Sequence, residues 1–348
     1  VTVLVPPARR TPSVRGIKAT QPVGAATWGD MARLHNWLKG QPRALIPGLA
    51  TGPGPGFADT DDLKLGLRFY PSGYHHTRLW TVRATGSGNT DITIGSLSTR
   101  TMNPPAPPSG SGLSIPMLEP LEVVEELASL PTGMTAVDVD FRFEVGESDS
   151  WDLMDLSCWE IPHPYLRDAD GQATSRIVSG QPITADLVST LRSGAADMLI
   201  GHRMLGAWAV PYATGAGSTI TTYAASTTSG TFGDLWDFPV PALARNTTQA
   251  PGATTEAVYC DVLAWVNSGT AEVRLKGTGG AGGTGSATSI TATTPTWVTM
   301  EPLEVELEDL SETTGMPSNT FEVVDLQGRV TTATTLYVAS AILYEATS

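Results

Sequence analysis

Carboxylates are the side chains in this sequence best placed to do chemistry. Glu119, Glu122, Glu125 and Glu126 fall within one short run. Two carboxylates flanking a glycosidic bond are what glycoside hydrolysis requires. The same run is also written as a strand, because Leu121 and Val123 alternate with the charges as a half-buried strand demands. A second run, Glu301, Glu304 and Glu308, repeats the pattern but carries Leu307 where the first has Glu125. A repeated run that drops an acid reads as an acidic strand surface, so no catalytic residue is assigned.

Other candidate chemistries fail on context. Gly277-Thr278-Gly279-Gly280-Ala281-Gly282 spells the dinucleotide fingerprint, but that mechanism needs a helix whose N-terminus faces a pyrophosphate. The β-branched run SATSITATTPT follows instead, which predicts a hairpin tip. The prolines of GPGPG at 52–56 remove backbone donors that a phosphate would need. Of the five histidines (His35, His75, His76, His163, His202), only His75 and His76 are adjacent. Neighbours on a strand point to opposite faces, so these two are expected to face solvent rather than share a metal. Asp59, Asp61 and Asp62, and likewise Asp168 and Asp170, lack the spacing of a calcium loop. They read as solvated turn carboxylates. No cofactor and no metal site are implied. Trp80, Trp151, Trp159, Trp265 and Trp297 lie in alternating segments and are expected in cores. Trp208 and Trp236 lie in a connecting region, where exposed rings would form a platform for a sugar.

The elements that must position these residues occur twice. EPLEVVEELASLPTGM at 119–134 returns as EPLEVELEDLSETTGM at 301–316, with ten of sixteen positions identical and a constant offset of 182. Each block follows a pair of alternating segments around a Ser-Gly turn, 81–96 and 262–277, which predicts a β-hairpin. Alternating segments follow each block as well, at 137–145 and 321–326, with closing strands near Leu153–Ile161 and Leu336–Tyr344. Upstream, Gln21-Pro22-Val23 and Gln181-Pro182-Ile183 each precede a helical stretch. Thr27-x-x-Asp30 reads as a capping box. Trp28, Met31, His35 and Leu38 form one face, and Leu187, Leu191 and Met198 form the matching stripe.

At 348 residues with 16% charged side chains, the chain fits two domains of an all-β protein. The expected fold class is mainly β: two tandem jelly-roll-like β-sandwiches, each preceded by a short helix. The division runs as a basic N-terminal arm and helix over 1–50, a first sandwich over 51–166, a helix-containing connector over 167–238, and a second sandwich over 239–348. No apolar run is long enough for a membrane span. VTVLVPPARR does not read as a signal peptide, so export is not expected. Cys158 and Cys260 are expected as buried reduced thiols. Residues 1–45 hold seven basic side chains and one acid, a local +6 that leaves −20 on the rest of a chain of net charge −14. This leader reads as a docking arm for an acidic surface, and Val1–Val5 is a β-prone segment able to join a sheet edge. Without interleaved aromatics, and on an acidic body, it is not expected to bind nucleic acid.

A duplicated, acidic, cysteine-poor β-sandwich chain with a basic arm resembles tailed-bacteriophage structural proteins built from tandem jelly-roll-like domains. These include capsid decoration proteins, fibres, and minor tail or baseplate proteins. The resemblance implies a non-enzymatic, oligomeric virion protein assembled in the bacterial host cytoplasm. Its partners would be capsid, portal or tail proteins. Anchoring is expected through Arg9, Arg10, Arg15, Lys18, Trp28 and Trp37. The alternative reading is a carbohydrate-binding module that recognises a host surface polysaccharide through Trp208 and Trp236.

Overall fold

The computed structural model describes residues 43–46, 48–50, 56–58, 63–71, 75, 77–86, 90–95, 100–102, 121–127, 135–145, 150–161, 202–213, 223–240, 255–278, 283–306 and 322–346. Among the described residues there is no helix, and the chain forms four sheets. Both expected helices lie outside the described residues. Strands are numbered β1 to β21 along the chain.

Sheet I has the order β1 (Arg43–Ile46), β10 (Ser150–Ile161), β5 (Thr77–Gly86), β8 (Leu121–Glu126), with β3 (Gly56–Ala58) also on β10. Sheet II runs β12 (Tyr212–Ala213), β4 (Leu63–Phe69), β9 (Val137–Val145), β6 (Thr90–Ile94), β7 (Arg100–Met102). Sheet III runs β18 (Thr296–Thr299), β15 (Thr255–Val266), β21 (Leu336–Ala346), β11 (His202–Ala209), β2 (Leu49–Ala50). On its sides, β13 (Ala225–Thr227) pairs with β21 and β19 (Leu303–Glu306) with β15. Sheet IV runs β14 (Gly233–Val240), β20 (Glu322–Val330), β16 (Ala271–Thr278), β17 (Thr288–Ile290). Apart from the short parallel contact of β2 with β11, every pairing is antiparallel.

The pairing order repeats along the chain. The path β1-β10-β5-β8 of sheet I has its counterpart in β11-β21-β15-β19 of sheet III. The path β4-β9-β6-β7 of sheet II has its counterpart in β14-β20-β16-β17 of sheet IV. The duplicated block itself forms the edge strands β8 and β19. Residues 202–213 and 223–238, expected inside a connector, supply β11 to β13 and most of β14, and residues 43–46 and 49–50 of the expected arm supply β1 and β2.

Alternation of side chains explains the layering. Leu63, Leu65, Leu67 and Phe69 of β4 turn inward, whereas Lys64 and Arg68 turn outward. Phe69 meets Trp80 of sheet I edge-on, with ring centroids 5.8 Å apart, and Phe143 of sheet II stacks near Trp151 of sheet I at 6.1 Å. Sheets I and II therefore share one core. Val262, Val338, Leu275 and Leu326 belong to a second core between sheets III and IV. The expected hairpins are corrected by this layering. β5 and β6 belong to different sheets, as do β15 and β16. The strands before and after each Ser-Gly pair therefore line the same core from opposite layers. In the second turn, Gly269 takes φ +71°, a conformation that L side chains rarely adopt.

The two halves are joined by reciprocal lending of short strands. β2 follows β1 of sheet I but pairs with β11 of sheet III, and β12 follows β11 but pairs with β4 of sheet II. Ala207, Ala209, Ile342 and Tyr344 of sheet III pack into the core of the first half. Where β4 packs against sheet III, Gly66 admits the close approach. A Cβ built there would lie 2.5 Å from Leu263 Cδ2 and 3.4 Å from the Tyr212 ring. Gly66→Val is expected to destabilise the protein by about 1–3 kcal/mol through overpacking. Urea unfolding checks this, and the contact at Gly66 is refuted if the midpoint stays unchanged.

Candidate functional site

Among the described residues, an assembly of polar side chains around a buried carboxylate lies where the halves meet. Asp261, fully buried on β15, receives the Tyr70 hydroxyl at 2.5 Å and the Tyr344 hydroxyl at 3.3 Å. Arg68 Nη1 reaches the same carboxylate at 3.3 Å, and its Nε and Nη2 clasp Asp138 at 2.6 and 2.9 Å. The guanidinium lies 4.8 Å from the Trp297 ring centroid. Tyr70 and Tyr259 flank Tyr344 at 4.9 and 5.7 Å. Both carboxylate oxygens of Asp261 accept donors, Oδ2 from Tyr70 and Arg68 of the other half and Oδ1 from Tyr344, which is how a buried carboxylate is tolerated.

The electrostatics follow from burial. Burial, followed by the bond to Asp261, pushes the Tyr70 phenol up to about 12. Burial also drives Tyr344 well upward, helped by Tyr70 and Asp261. For Arg68, burial alone would lower the pKa, but the bonds to Asp138 and the charges of Asp138 and Asp261 outweigh it and raise it. Both phenols are held protonated as donors and Arg68 as a cation. The cluster clamps; it is not poised to exchange protons near neutrality.

A second constellation crosses the inner side of sheet I. Register places Arg43 opposite Glu160, Glu160 opposite Arg78, and Arg78 opposite Glu125, so charge alternates across four strands. Glu160 and Arg78 are buried. Glu125 takes the Trp80 indole N–H at 3.1 Å and lies 3.5 Å from Arg78 Nη1. Arg78 sits 4.9 Å over the Phe69 ring. Sequence reading treated Glu125 as one of four surface acids. It is instead the inward member of β8, while Glu122 and Glu126 face out. The described carboxylates of the block, Glu122, Glu125 and Glu126, therefore do not converge.

The glycan candidates come together, though not as two exposed platforms. Trp208 is buried and stacks on half-buried Trp236 at 4.9 Å and 20°. Trp236 lines a shallow depression of about 390 Å³ with Asp234, Leu235 and Asp237. Opposite Asp237 stands Asp325, whose pKa is raised by burial and then by Asp234 and Asp237.

The remaining expectations divide. Trp80, Trp151 and Trp265 are core residues, whereas Trp159 and Trp297 are only half-buried. His75 is buried, not solvent-facing, and His76 lies outside the described residues. Cys158 and Cys260 are free and buried, and burial holds both thiols well above their usual range. Among the described residues, no group of three His, Cys, Asp or Glu could hold a metal ion. On either side of the glycine-rich stretch, Lys276 and Thr284 form an antiparallel bridge, and residues 279–282 between them lie outside the described residues. Arg9, Arg10, Arg15, Lys18, Trp28 and Trp37 lie outside the described residues, as do Glu119 and Glu308. Sequence reading missed Asp261, Arg68, Tyr70 and Tyr344. A signal was present in Asp261 itself, a single acid inside the otherwise apolar run VYCDVLAWV.

No family model matches the chain, and no curated protein does. Solved structures match weakly. The Bacillus thuringiensis insecticidal delta-endotoxin Cry8Ea1 has TM-score 0.24 and 7% identity over 78% of this chain and 53% of its own, so the chain spans about half of that protein. The CBM22 tandem domain of Paenibacillus barcinonensis Xyn10C has TM-score 0.20 and 9% identity over 80% and 82%. The PBSX exported protein XepA has TM-score 0.17 and 11% identity over 88% and 87%. Likenesses this slight carry no argument about function.

The phenol shifts fix an alkaline signature. A folded-state pKa raised above the unfolded value of about 10 stabilises the fold fully below pH 10, and that stability is lost as pH rises towards 12. Unfolding free energy measured from pH 8 to pH 12 should decline across that window, and more gently in Tyr70→Phe. Identical slopes in the two proteins would show that Tyr70 is not held by Asp261.

Proposed function

We propose that this chain is a non-enzymatic structural protein of a bacteriophage particle. In this reading it consists of two jelly-roll-like sandwiches held as one body and anchored by its N-terminal segment. The observation that carries the proposal is the repeated pairing order. In each half two four-strand paths face each other across one core, the double-sheet form of a jelly roll, and jelly rolls build viral capsid and lectin domains. The clamp around Asp261 supports a scaffolding role, because it fixes one sandwich against the other instead of leaving a cleft between them. The divergence of Glu122, Glu125 and Glu126 supports a non-catalytic reading of the glutamate block. The basic leader supplies the attachment chemistry to an acidic surface of a capsid, portal or tail protein. Deleting residues 1–26 should abolish incorporation into particles while circular dichroism and the unfolding midpoint stay near those of the intact chain. Particles that take up the truncated protein normally would overturn the anchoring role.

One observation favours a second reading, in which the chain binds a host surface glycan. Trp236 presents part of its ring in a depression beside Asp234 and Asp237, and carboxylates beside an exposed ring face suit a sugar. Host polysaccharide should then quench tryptophan fluorescence, and Trp236→Ala should abolish the quenching. Quenching that persists in Trp236→Ala places the sugar elsewhere, and no quenching in the intact chain removes this reading.

A further inference from the structure

The inner side of β14 packs against the second core, but its outer side carries a feature that neither reading of function uses. Asp237 of β14 stands directly opposite Asp325 of β20. Like charges opposite each other on neighbouring strands destabilise a sheet. Asp237 is exposed, whereas Asp325 is only 5% exposed, on an inner strand of sheet IV with β14 on one side and β16 on the other. The two side chains are hydrogen-bonded to each other. An ionised carboxylate can only accept hydrogen bonds, so this bond exists only while the pair holds a proton.

The groups around the pair do not replace that proton. Asp234 of β14 adds a third acid, and it accepts the Gln327 side-chain N–H at 2.7 Å. On β16, Arg274 donates to Gln327 at 2.9 Å, and Lys276 stands opposite Asp325. Arg329, further along β20, is bound to Glu272. Burial, then Asp234 and Asp237, raise the Asp325 pKa, and Lys276 offsets them only in part.

β14 is the strand on which such a bond has most effect. It ends the path of sheet IV, and among the described residues only β20 is paired with it. That ladder is already interrupted by the register shift between Asp234 and Trp236. Inward, Phe238 is buried and Trp236 stacks on Trp208 at 4.9 Å and 20°. How firmly the Trp236 ring is held therefore depends on how firmly β14 lies on β20.

We propose that Asp237 and Asp325 form an acid-set latch, in which one shared proton fastens β14 to β20 and fixes Trp236 on Trp208. As pH rises the pair gains its second charge, the hydrogen bond is lost, and repulsion acts across the edge of the sheet. A carboxyl whose folded-state pKa is raised contributes stability that is fully present below its unfolded value of about 4. That contribution is lost as pH climbs through the folded value. The latch is closed in acid and opens as pH rises. It rests on neither functional reading, because it needs no particle and no glycan.

Circular dichroism of the stacked indoles reads the latch in the purified full-length chain. Subtracting the spectrum of Trp236→Phe isolates the Trp208–Trp236 contribution. In the intact chain that contribution should weaken as pH is raised from about 4 to about 8. Asp325→Asn keeps the size of the side chain and supplies an N–H that does not ionise, so its signal should stay at the acid level throughout. Asp237→Asn, at an exposed position, should do the same. The urea midpoint of each Asn variant should match that of the intact chain in acid and exceed it near neutrality. A stack signal in the intact chain that ignores pH sinks the latch. So does a decline that persists unchanged in Asp325→Asn and Asp237→Asn, which would place the titrating group elsewhere.

Discussion

Asp261 is the constraint on which the arrangement of the two halves depends. A carboxylate with no solvent exposure needs hydrogen-bond donors, and here they come from Arg68 and Tyr70 of the first half and Tyr344 of the second. Relative rotation of the sandwiches would strip the charge of partners before it regained water. Directional bonds thus fix an orientation that apolar contact alone would leave loose. Gly66 adds to the constraint, because a Cβ there would crowd Leu263 Cδ2 and the Tyr212 ring.

Much of the fold was legible because strands write themselves in alternation. The duplicated block located β8 and β19 by spelling alone, and the segments on either side gave β5, β9, β10 and their counterparts. Sheet membership was not legible. The turns before β6 and β16 contain the residues of a tight hairpin, and local sequence does not distinguish a turn within one sheet from a crossing between two. Only the shared core decides, and that is a property of the whole unit. The opening strands were missed for another reason. Ile46-Pro47-Gly48-Leu49-Ala50-Thr51-Gly52 echoes Val210-Pro211-Tyr212-Ala213-Thr214-Gly215, but the echo is short and shifted from the main repeat. It marks β1 with β2 and β11 with β12.

The polar clusters were harder to read than the fold. Arg78, Glu125 and Glu160 are ordinary surface residue types, and their alternation exists only across strands far apart in sequence. Glu125 looked like its neighbours Glu122 and Glu126 until the pleat placed it on the opposite side. Trp208 was misjudged because the segment around it was taken for a connector. As part of β11 its ring belongs to a core, and Trp236 reaches the surface only because it stacks at the rim of that core.

The exchange of β2 and β12 bears on how the chain acquires its shape during synthesis. When the first half leaves the ribosome, β4 lacks the neighbour that residues 212–213 later provide, and β2 has no β11 to join. Neither sheet can be completed in isolation, so the early chain carries an unsatisfied edge until the second half begins to form. Such long-range closure slows folding and exposes the nascent molecule to association with its neighbours.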